Sequence, residues 1–256
     1  MVGENNLDEQ ANQLIKSLYT DVKPDTLTVT SRNSDNYKHV LGLDREPVSS
    51  TARVLDVGGG NAKIKAEDFG LQVGNLVRID MDPQQPDIRK GNILDLSSAE
   101  GEYDEVWAMF ILKYVDKRLP MDVDQKIQET AEQAGIGWQK YALMKNMATF
   151  LGLKAIGEML KITKPGGRIR IGSRIYDFKQ SEALPSLLTA ILSEKLPGIK
   201  ISGTEVTSYY ADDPEEREAN LFLEKGEGFQ NEDYSMFLRR EYQRLIPKQF
   251  ADSLVK

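Results

Sequence analysis

The sequence predicts an α/β protein in which a mostly parallel sheet is covered by helices. From Arg53 onward, short runs of β-branched residues end in glycine or aspartate and alternate with helical stretches, a pattern typical of parallel sheets. The chain has 256 residues, 40% of them hydrophobic, which is enough to form a large core without a disulfide. We therefore expect one domain, or one domain with an appendage.

Seven strands are expected, most of them short runs that contain β-branched residues. They cover residues 53–57, 76–80, 87–90, 105–110, 168–173, 199–209 and 219–224. A long helical region, 122–162, separates the fourth strand from the fifth, and its Gly135-Ile-Gly137 break predicts two helices. The second should cross over to the fifth strand, and the first should form an insertion at about 116–145. Trp138 and Tyr141 are expected to belong to a core stripe.

Helical patterns are also expected at both ends of the chain. Apolar residues at helical spacing predict an N-terminal helix over 7–22, which stops before a Lys-Pro pair. Residues 25–50 have no sustained period and are expected to form loops with one short helix. Residues 1–50 would then cap a core of residues 51–230, and the tail 231–256 would add a packed helix.

The charge balance and the lack of cysteine exclude several classes of function. The chain carries 33 basic and 40 acidic residues, a net charge of −7, so a surface built to bind nucleic acid phosphates is not expected. Without cysteine there is no Cys–His catalysis, no Cys-ligated zinc site and no iron–sulfur cluster, and no other metal site is expected. No apolar run approaches the ~20 residues that cross a bilayer, and no signal pattern opens the chain, so the expected location is the cytoplasm.

A glycine-rich turn at the end of the first strand is the most informative feature of the sequence. Arg53-Val-Leu-Asp-Val-Gly-Gly-Gly-Asn-Ala-Lys63 is a buried strand that runs into glycines, and open parallel sheets bind ligands at that end. Gly58 and Gly60 let the chain turn tightly and let a ligand approach the backbone. A plain strand-to-helix turn without a ligand remains the alternative.

Three further residues narrow the ligand to a nucleoside with an amino-acid tail. Asp80 ends the second strand near the ~20-residue spacing at which such folds place a carboxylate on ribose hydroxyls, although capping a helix is its alternative role. Lys63 stands where a dinucleotide site needs a small residue, which argues against NAD. Asp56, inside the first strand, suits a positively charged amino group better than a pyrophosphate.

Five segments, in order, resemble the motifs of class I S-adenosylmethionine-dependent methyltransferases. They are Val54-Leu-Asp-Val-Gly-Gly-Gly-Asn-Ala62, Arg78-Ile-Asp-Met-Asp-Pro83, Lys90-Gly-Asn-Ile-Leu-Asp-Leu96, Tyr103-Asp-Glu-Val-Trp-Ala-Met-Phe-Ile-Leu112 and Glu158-Met-Leu-Lys-Ile-Thr-Lys-Pro-Gly-Gly-Arg-Ile-Arg-Ile171. The resemblance implies a Rossmann-like, mostly parallel seven-stranded sheet with helices on both faces and an antiparallel last strand. It also implies S-adenosylmethionine as the cofactor and methyl transfer to an oxygen or nitrogen nucleophile.

The resemblance implies a cofactor site at the ends of the first four strands. Asp56 would orient the turn and the cofactor's amino group, Asp80 would accept hydrogen bonds from the ribose hydroxyls, and Met81 would pack on the adenine. The amide oxygen of Asn92 would accept a hydrogen bond from the adenine amino group, where relatives commonly have aspartate. The implied cofactor residues are Asp56, Gly58, Gly60, Asn61, Asp80, Met81, Asn92, Ile93 and Phe110.

The acceptor site is less well defined by the sequence. Residues just past the strand ends are candidates for the substrate pocket, namely Lys113, Tyr114, Arg174 and Tyr176. Relatives often have histidine near residues 112–114, whereas the one histidine of this chain is His39, in the segment before the core. His39 is either a general base for an alcohol acceptor or a structural residue.

The second crossover is unusually short. Only ten positions separate Asp80 from Lys90, which is too few for a helical crossover. In this the chain is similar to a bacterial methyltransferase subgroup that lacks the helix, whose members often act on glycans or small molecules, so a small-molecule or glycan-like acceptor is expected. An inactive cofactor-binding module, or an aminopropyl transferase favoured by the Gly-Gly-Gly triplet, remains an alternative. The acceptor atom and the oligomeric state stay open.

Overall fold

A seven-stranded sheet forms the centre of the computed structural model, which describes residues 5–19, 33–60, 62–81, 83, 85–99, 101–109, 121–175, 196–207 and 217–254. The strands are β1 (Val54–Val57), β2 (Leu76–Asp80), β3 (Ile88–Lys90), β4 (Tyr103–Met109), β5 (Thr163–Ile175), β6 (Ile199–Thr207) and β7 (Arg217–Lys225). Their order across the sheet is β3-β2-β1-β4-β5-β7-β6. Neighbours from β3 to β5 pair in parallel, and β7 is antiparallel to both β5 and β6. The predicted Rossmann-like sheet with an antiparallel last strand is confirmed.

The α-helices that pack around the sheet come from both ends of the chain and from the connection between β4 and β5. The α-helices are α1 (Asn5–Tyr19), α2 (Ser34–Val40), α3 (Met121–Gln133), α4 (Lys140–Ile162), α5 (Asn231–Leu245) and α6 (Lys248–Leu254), and 3-10 helices cover Ala66–Phe69 and Gly137–Gln139. Gly135, at φ +72°, separates α3 from α4, so the predicted break is confirmed. The tail contains two helices where one was expected, because Ile246 precedes Pro247 and the residue before a proline disfavours helical geometry.

The face of the sheet that carries Leu55 and Val106 packs against most of the helical mass. Buried residues of α1, α3, α4, α5 and α6 form one apolar cluster with this face. α4 is buried around most of its circumference because it lies between the sheet and α5, as expected for the crossover helix. None of the described helices combines the length and the apolar composition that a membrane span requires.

The opposite face of the sheet is covered in a different way. Strand side chains alternate between faces, so Val54 and Trp107 lie here, in a second cluster with α2 and the 3-10 helix Ala66–Phe69. Among the described residues between β1 and β2 that 3-10 helix is the only helical turn, and none of residues 81, 83 and 85–87 is helical. We call this surface the α2 face. The glycine-rich turn lies at its edge.

Trp138 and Tyr141 do not form the expected core stripe. The two side chains are 81% and 76% exposed. Residues 137–139 form a 3-10 helix in place of an α-helical turn, so the apolar spacing that suggested a stripe does not continue into α4. Ile136 and Met144 pack against the core from this region. The aromatic residues of the insertion therefore add little buried surface.

Candidate cofactor site

The glycine-rich turn follows directly from β1, at the carboxyl edge of the parallel strands. Gly58 has φ +77° and Gly60 has φ +53°, in the left-handed region that favours glycine. The backbone N–H groups of Gly58 and Gly59 donate to the carbonyl oxygen of Ile79 at 2.8 and 3.2 Å, which ties the turn to β2. β1 lies between β2 and β4, where the direction of the strand order reverses, and open α/β sheets bind ligands at such a point.

Asp80 brings a carboxylate to the same turn. It is the last residue of β2, and its Oδ2 accepts a hydrogen bond from the backbone N–H of Gly60 at 2.8 Å. Its side chain is partly exposed, and the following residue, Met81, is 47% exposed. A carboxylate that can accept hydrogen bonds and an exposed apolar side chain thus lie beside the turn. A ribose hydroxyl could bind the first, and a nucleobase could pack on the second. The contacts that the sequence assigns to Asp80 and Met81 remain predictions.

Asp56 lies beneath the turn and is fully buried. Both of its carboxylate oxygens are 3.2 Å from the Tyr37 hydroxyl, and Arg78 Nε donates to Oδ2 at 3.3 Å. The structure thus gives Asp56 protein partners that sequence reasoning missed. Its carboxylate is fully enclosed, and the contact with the cofactor's amino group that the sequence assigns to it stays a prediction.

Arg78 connects Asp56 to the turn itself. Its Nη2 donates to the carbonyl oxygen of Ala62 at 2.8 Å and to that of Gly59 at 3.4 Å, and its Nη1 donates to Asp87 at 2.9 Å. Burial acts to lower the pKa of Arg78, but Asp56, Tyr37 and Asp87 together outweigh burial and hold that pKa above its ordinary value. The guanidinium therefore stays charged inside the protein. An arginine within an apolar strand, two positions before Asp80, was the signal for this role.

The middle glycine of the triplet is explained by the same pair. A methyl group at Gly59 would lie 2.9 Å from Asp56 Oδ2 and 3.2 Å from Arg78 Nη2. Those separations are closer than ordinary van der Waals contact, so a side chain at Gly59 would push the ion pair away from the turn. Glycine is thus required in the triplet for two separate reasons. Gly58 and Gly60 have a positive φ, and Gly59 lies too close to the ion pair to carry a side chain.

The loop after β3 lies next to Asp80 but uses Asn92 in a local turn. The backbone N–H of Gly91 donates to the carbonyl oxygen of Asp80 at 2.8 Å, which brings the loop to the site. The Asn92 side-chain oxygen accepts from the backbone N–H of Leu94 at 2.9 Å, as in an Asx turn. Ile93 is buried in the core. Whether Asn92 also accepts from an adenine stays a prediction.

Several expected site residues lie outside the described residues: Asn61, Phe110, Lys113, Tyr114 and Tyr176. Arg174 lies in β5, where its backbone pairs with that of Glu218. His39 is near the end of α2, with Nδ1 3.9 Å from the Asp44 carboxylate. The structure thus brings the described cofactor candidates to one edge of the sheet, and of the four substrate candidates it describes only the backbone of Arg174.

A second buried ion pair lies on the α2 face, away from the glycine turn. Arg170 Nε and Nη2 donate to the two carboxylate oxygens of Glu105 at 2.8 and 3.1 Å, and Trp107 Nε1 donates to Glu105 at 2.9 Å. Arg170 also donates to the carbonyl oxygens of Leu41 and Glu46 at 3.2 and 2.9 Å. This pair therefore fastens the segment after α2 onto the sheet.

The chain is similar to several solved structures of low sequence identity. No protein-family model and no curated protein matches the sequence of this chain. The N-methyltransferase NodS from Bradyrhizobium japonicum WM9, in complex with S-adenosyl-L-homocysteine, is 16% identical, with a TM-score of 0.43 over 84% of this chain and 98% of that one. An rRNA methylase from Streptococcus thermophilus is 12% identical, with a TM-score of 0.41 over 75% of this chain and 96% of that one. The cyclase SpnF is 14% identical, with a TM-score of 0.43 over 86% of this chain and 94% of that one. The three proteins are named for different reactions, and the likeness at these TM-scores assigns none of those reactions to this chain.

Proposed function

We propose that this protein is an S-adenosylmethionine-dependent methyltransferase that acts on an oxygen or nitrogen atom of a small-molecule or glycan-like acceptor. The observation that carries the proposal is the hydrogen bond between Gly60 and Asp80, 2.8 Å long, which joins the glycine turn of β1 to a carboxylate at the end of β2. Exposed Met81 stands beside them. The five motif-like segments of the sequence support the same cofactor.

In this proposal the residues at the strand ends bind and orient the cofactor. Asp80 accepts from the ribose hydroxyls, and charge-assisted hydrogen bonds of this kind contribute about 1.5–3 kcal/mol each. Met81 packs on the adenine, and the backbone of Gly58 and Gly60 lies along the methionine portion without a side chain in the way. Asp56 acts on the turn through Arg78, which is the role that its burial favours.

The cofactor supplies a methyl group on a positively charged sulfur. With S-adenosylmethionine held by the residues at the strand ends, this methyl group would pass to the acceptor's lone pair, and sulfur would keep the electron pair of the broken carbon–sulfur bond. The acceptor's proton leaves to solvent or to a base. The protein's contribution is alignment and exclusion of water, which supply up to roughly 7–11 kcal/mol in model systems. A nearby base adds to the rate only where the acceptor holds its proton tightly.

Binding of S-adenosylhomocysteine to the full chain tests the proposal. We expect a saturable heat in titration calorimetry and a rise in melting temperature that grows with ligand concentration, because a ligand that binds only the folded state stabilises it. NAD serves as the control ligand and is expected to produce neither signal. The absence of both signals at millimolar S-adenosylhomocysteine would overturn the proposal.

A cofactor-binding module without transferase activity is the second candidate. The observation that favours it is the Asx turn of Asn92, whose side-chain oxygen, expected to accept from the adenine, accepts from the backbone N–H of Leu94 at 2.9 Å. The two candidates differ in one respect. Both bind S-adenosylhomocysteine, but only the methyltransferase moves a labelled methyl group from S-adenosylmethionine into pools of small-molecule and glycan acceptors.

Two finer predictions belong to this proposal. The short segment from residue 81 to 87, with no helix among its described residues, supports the similarity to the bacterial subgroup that lacks a crossover helix. The cytoplasmic location expected from the sequence stays a prediction.

A further inference from the structure

We propose that Arg78 is a positioning residue: together with Asp56 and Tyr37 it holds the glycine-rich turn in the conformation that binds the cofactor. The identity of that cofactor rests on the proposed function, but the role of Arg78 in the turn does not. We call the three side chains the turn clamp.

The turn clamp acts on the protein side of the turn. Arg78 Nη2 binds the carbonyl oxygens of Gly59 and Ala62, so both carbonyls point inward towards the sheet. The backbone N–H groups of Gly58 and Gly60 are held separately, by Ile79 and by the Asp80 carboxylate. The donors of the turn are therefore held by other groups than its acceptors. Arg78 binds the carbonyl oxygens of both Gly59 and Ala62, and the Ala62 N–H adds a hydrogen bond to that of Gly59 at 3.0 Å.

A guanidinium is needed because the contacts spread around a plane. Nε faces Asp56, Nη1 faces Asp87, and Nη2 faces the two turn carbonyls. A lysine ammonium is a point charge at the end of a flexible stem and reaches one side of this arrangement at a time. Arg78 and Asp56 are both buried, so each charge compensates the desolvation of the other. The Tyr37 hydroxyl donates a further hydrogen bond to the carboxylate.

Gly59 shows how closely the turn clamp fits the turn. A side chain at that position would meet both members of the ion pair, so the sequence carries a glycine without a positive φ between two glycines that have one. Tyr37 also extends the clamp to α2. α2, which precedes the core in the chain, therefore supports the cofactor turn. Among the described residues between β1 and β2, the one helical element is the 3-10 helix Ala66–Phe69.

The pair formed by Arg170 and Glu105 is a matched control. It lies on the same face, it is buried, and its arginine also donates to two backbone carbonyls. Those carbonyls belong to Leu41 and Glu46, away from the glycine turn. The two arginines thus share a structural role and differ in the segment they hold.

The test compares Arg78→Lys with Arg170→Lys in the full chain. Amide hydrogen exchange at Gly58 to Gly60 is measured without ligand, and the Kd for S-adenosylhomocysteine is measured by calorimetry at a temperature where both variants are folded. Arg78→Lys should raise the exchange rate of the turn and the Kd by about tenfold or more each, because the turn loses its inward anchor. Arg170→Lys should lower the melting temperature yet keep both quantities within about twofold of wild type.

A double variant separates positioning from stability. In Asp56→Leu/Arg78→Met the ion pair is replaced by apolar side chains, an exchange that is often neutral for folding. We expect a folded protein whose turn still exchanges fast and whose Kd stays raised. Wild-type exchange and wild-type Kd in Arg78→Lys or in the double variant would overturn the proposal. If the wild-type chain itself fails to bind S-adenosylhomocysteine, the proposed function falls, and the exchange rates alone decide the role of Arg78.

Discussion

The two buried ion pairs of the α2 face are alike in chemistry and differ in what they hold. Arg78 joins β2 to the glycine turn, whereas Arg170 joins β5 to the segment that follows α2. Each guanidinium binds a carboxylate on a neighbouring strand and two backbone carbonyls. The role of each buried arginine therefore depends on which backbone carbonyls it binds. One ion pair holds the glycine-rich turn, and the other holds the segment after α2 against the sheet.

Removing one member of each pair should produce the largest effects. Asp56→Ala leaves Arg78 buried without its main counter-charge, and we expect urea unfolding to show a loss of about 3–5 kcal/mol in the free energy of unfolding. Glu105→Ala should cost less, because the Glu105 side chain is 11% exposed and that of Asp56 is 0% exposed. Equal losses from the two substitutions would contradict the idea that Asp56, the more enclosed of the two carboxylates, is the more costly to remove.

A single added methyl group should disturb the turn pair by contact alone. Gly59→Ala places a carbon 2.9 Å from the Asp56 carboxylate, and overpacking of this kind costs about 1–3 kcal/mol. The matched variant is Gly228→Ala, where no atom lies within 4 Å of the added group, and we expect a change of about 0.5 kcal/mol or less. Thermal unfolding of both variants measures the difference. A neutral Gly59→Ala would mean that the ion pair does not set the space available to the turn.

A third charge cluster, on the opposite face, should produce the smallest effect, and that effect should disappear in acid. Burial would raise the pKa of Glu158, but Lys154 and Lys161 hold it below its ordinary value of 4.5. A lowered pKa in the folded state stabilises the protein above that ordinary value, and the contribution is lost as pH falls through the folded pKa. Relative to wild type, Glu158→Gln should therefore lose stability at neutral pH, and the two unfolding curves should converge below about pH 4.5. Parallel pH dependence in the two proteins would show that Glu158 is not the titrating group.

The sheet was predictable because its signals are local. Leu76–Asp80 begins and ends as expected, since an apolar run stops at an acidic residue, and Gly135 divides the long helical region where the sequence indicates. The tail was less predictable, because Pro247 splits a pattern that reads as one helix. The prediction that Trp138 belongs to a core stripe was wrong for a related reason, because a 3-10 helix interrupts the helical period there.

The site was predictable in its backbone and less so in its side chains. The conformations of Gly58 and Gly60 follow from their positions after a strand, and Asp80 follows from its spacing. The turn clamp could not be predicted from the sequence, because Tyr37, Asp56 and Arg78 are far apart in the chain. The parallel pairing of β1 and β2 brings the ion pair together. No local pattern reports which carbonyl a buried guanidinium will reach.

The most direct measurement of the central claim is the Kd of S-adenosylhomocysteine for Asp80→Ala. Its matched control is Asp68→Ala, because Asp68 also accepts a hydrogen bond from a backbone amide, that of Lys65 at 2.7 Å, but in the 3-10 helix and not at the turn. We predict that Asp80→Ala raises the Kd by about tenfold to 150-fold, equivalent to about 1.5–3 kcal/mol, while Asp68→Ala leaves it unchanged and both variants keep the wild-type circular dichroism spectrum. An unchanged Kd for a folded Asp80→Ala would contradict the account, because it would show that the carboxylate at the end of β2 does not bind the cofactor.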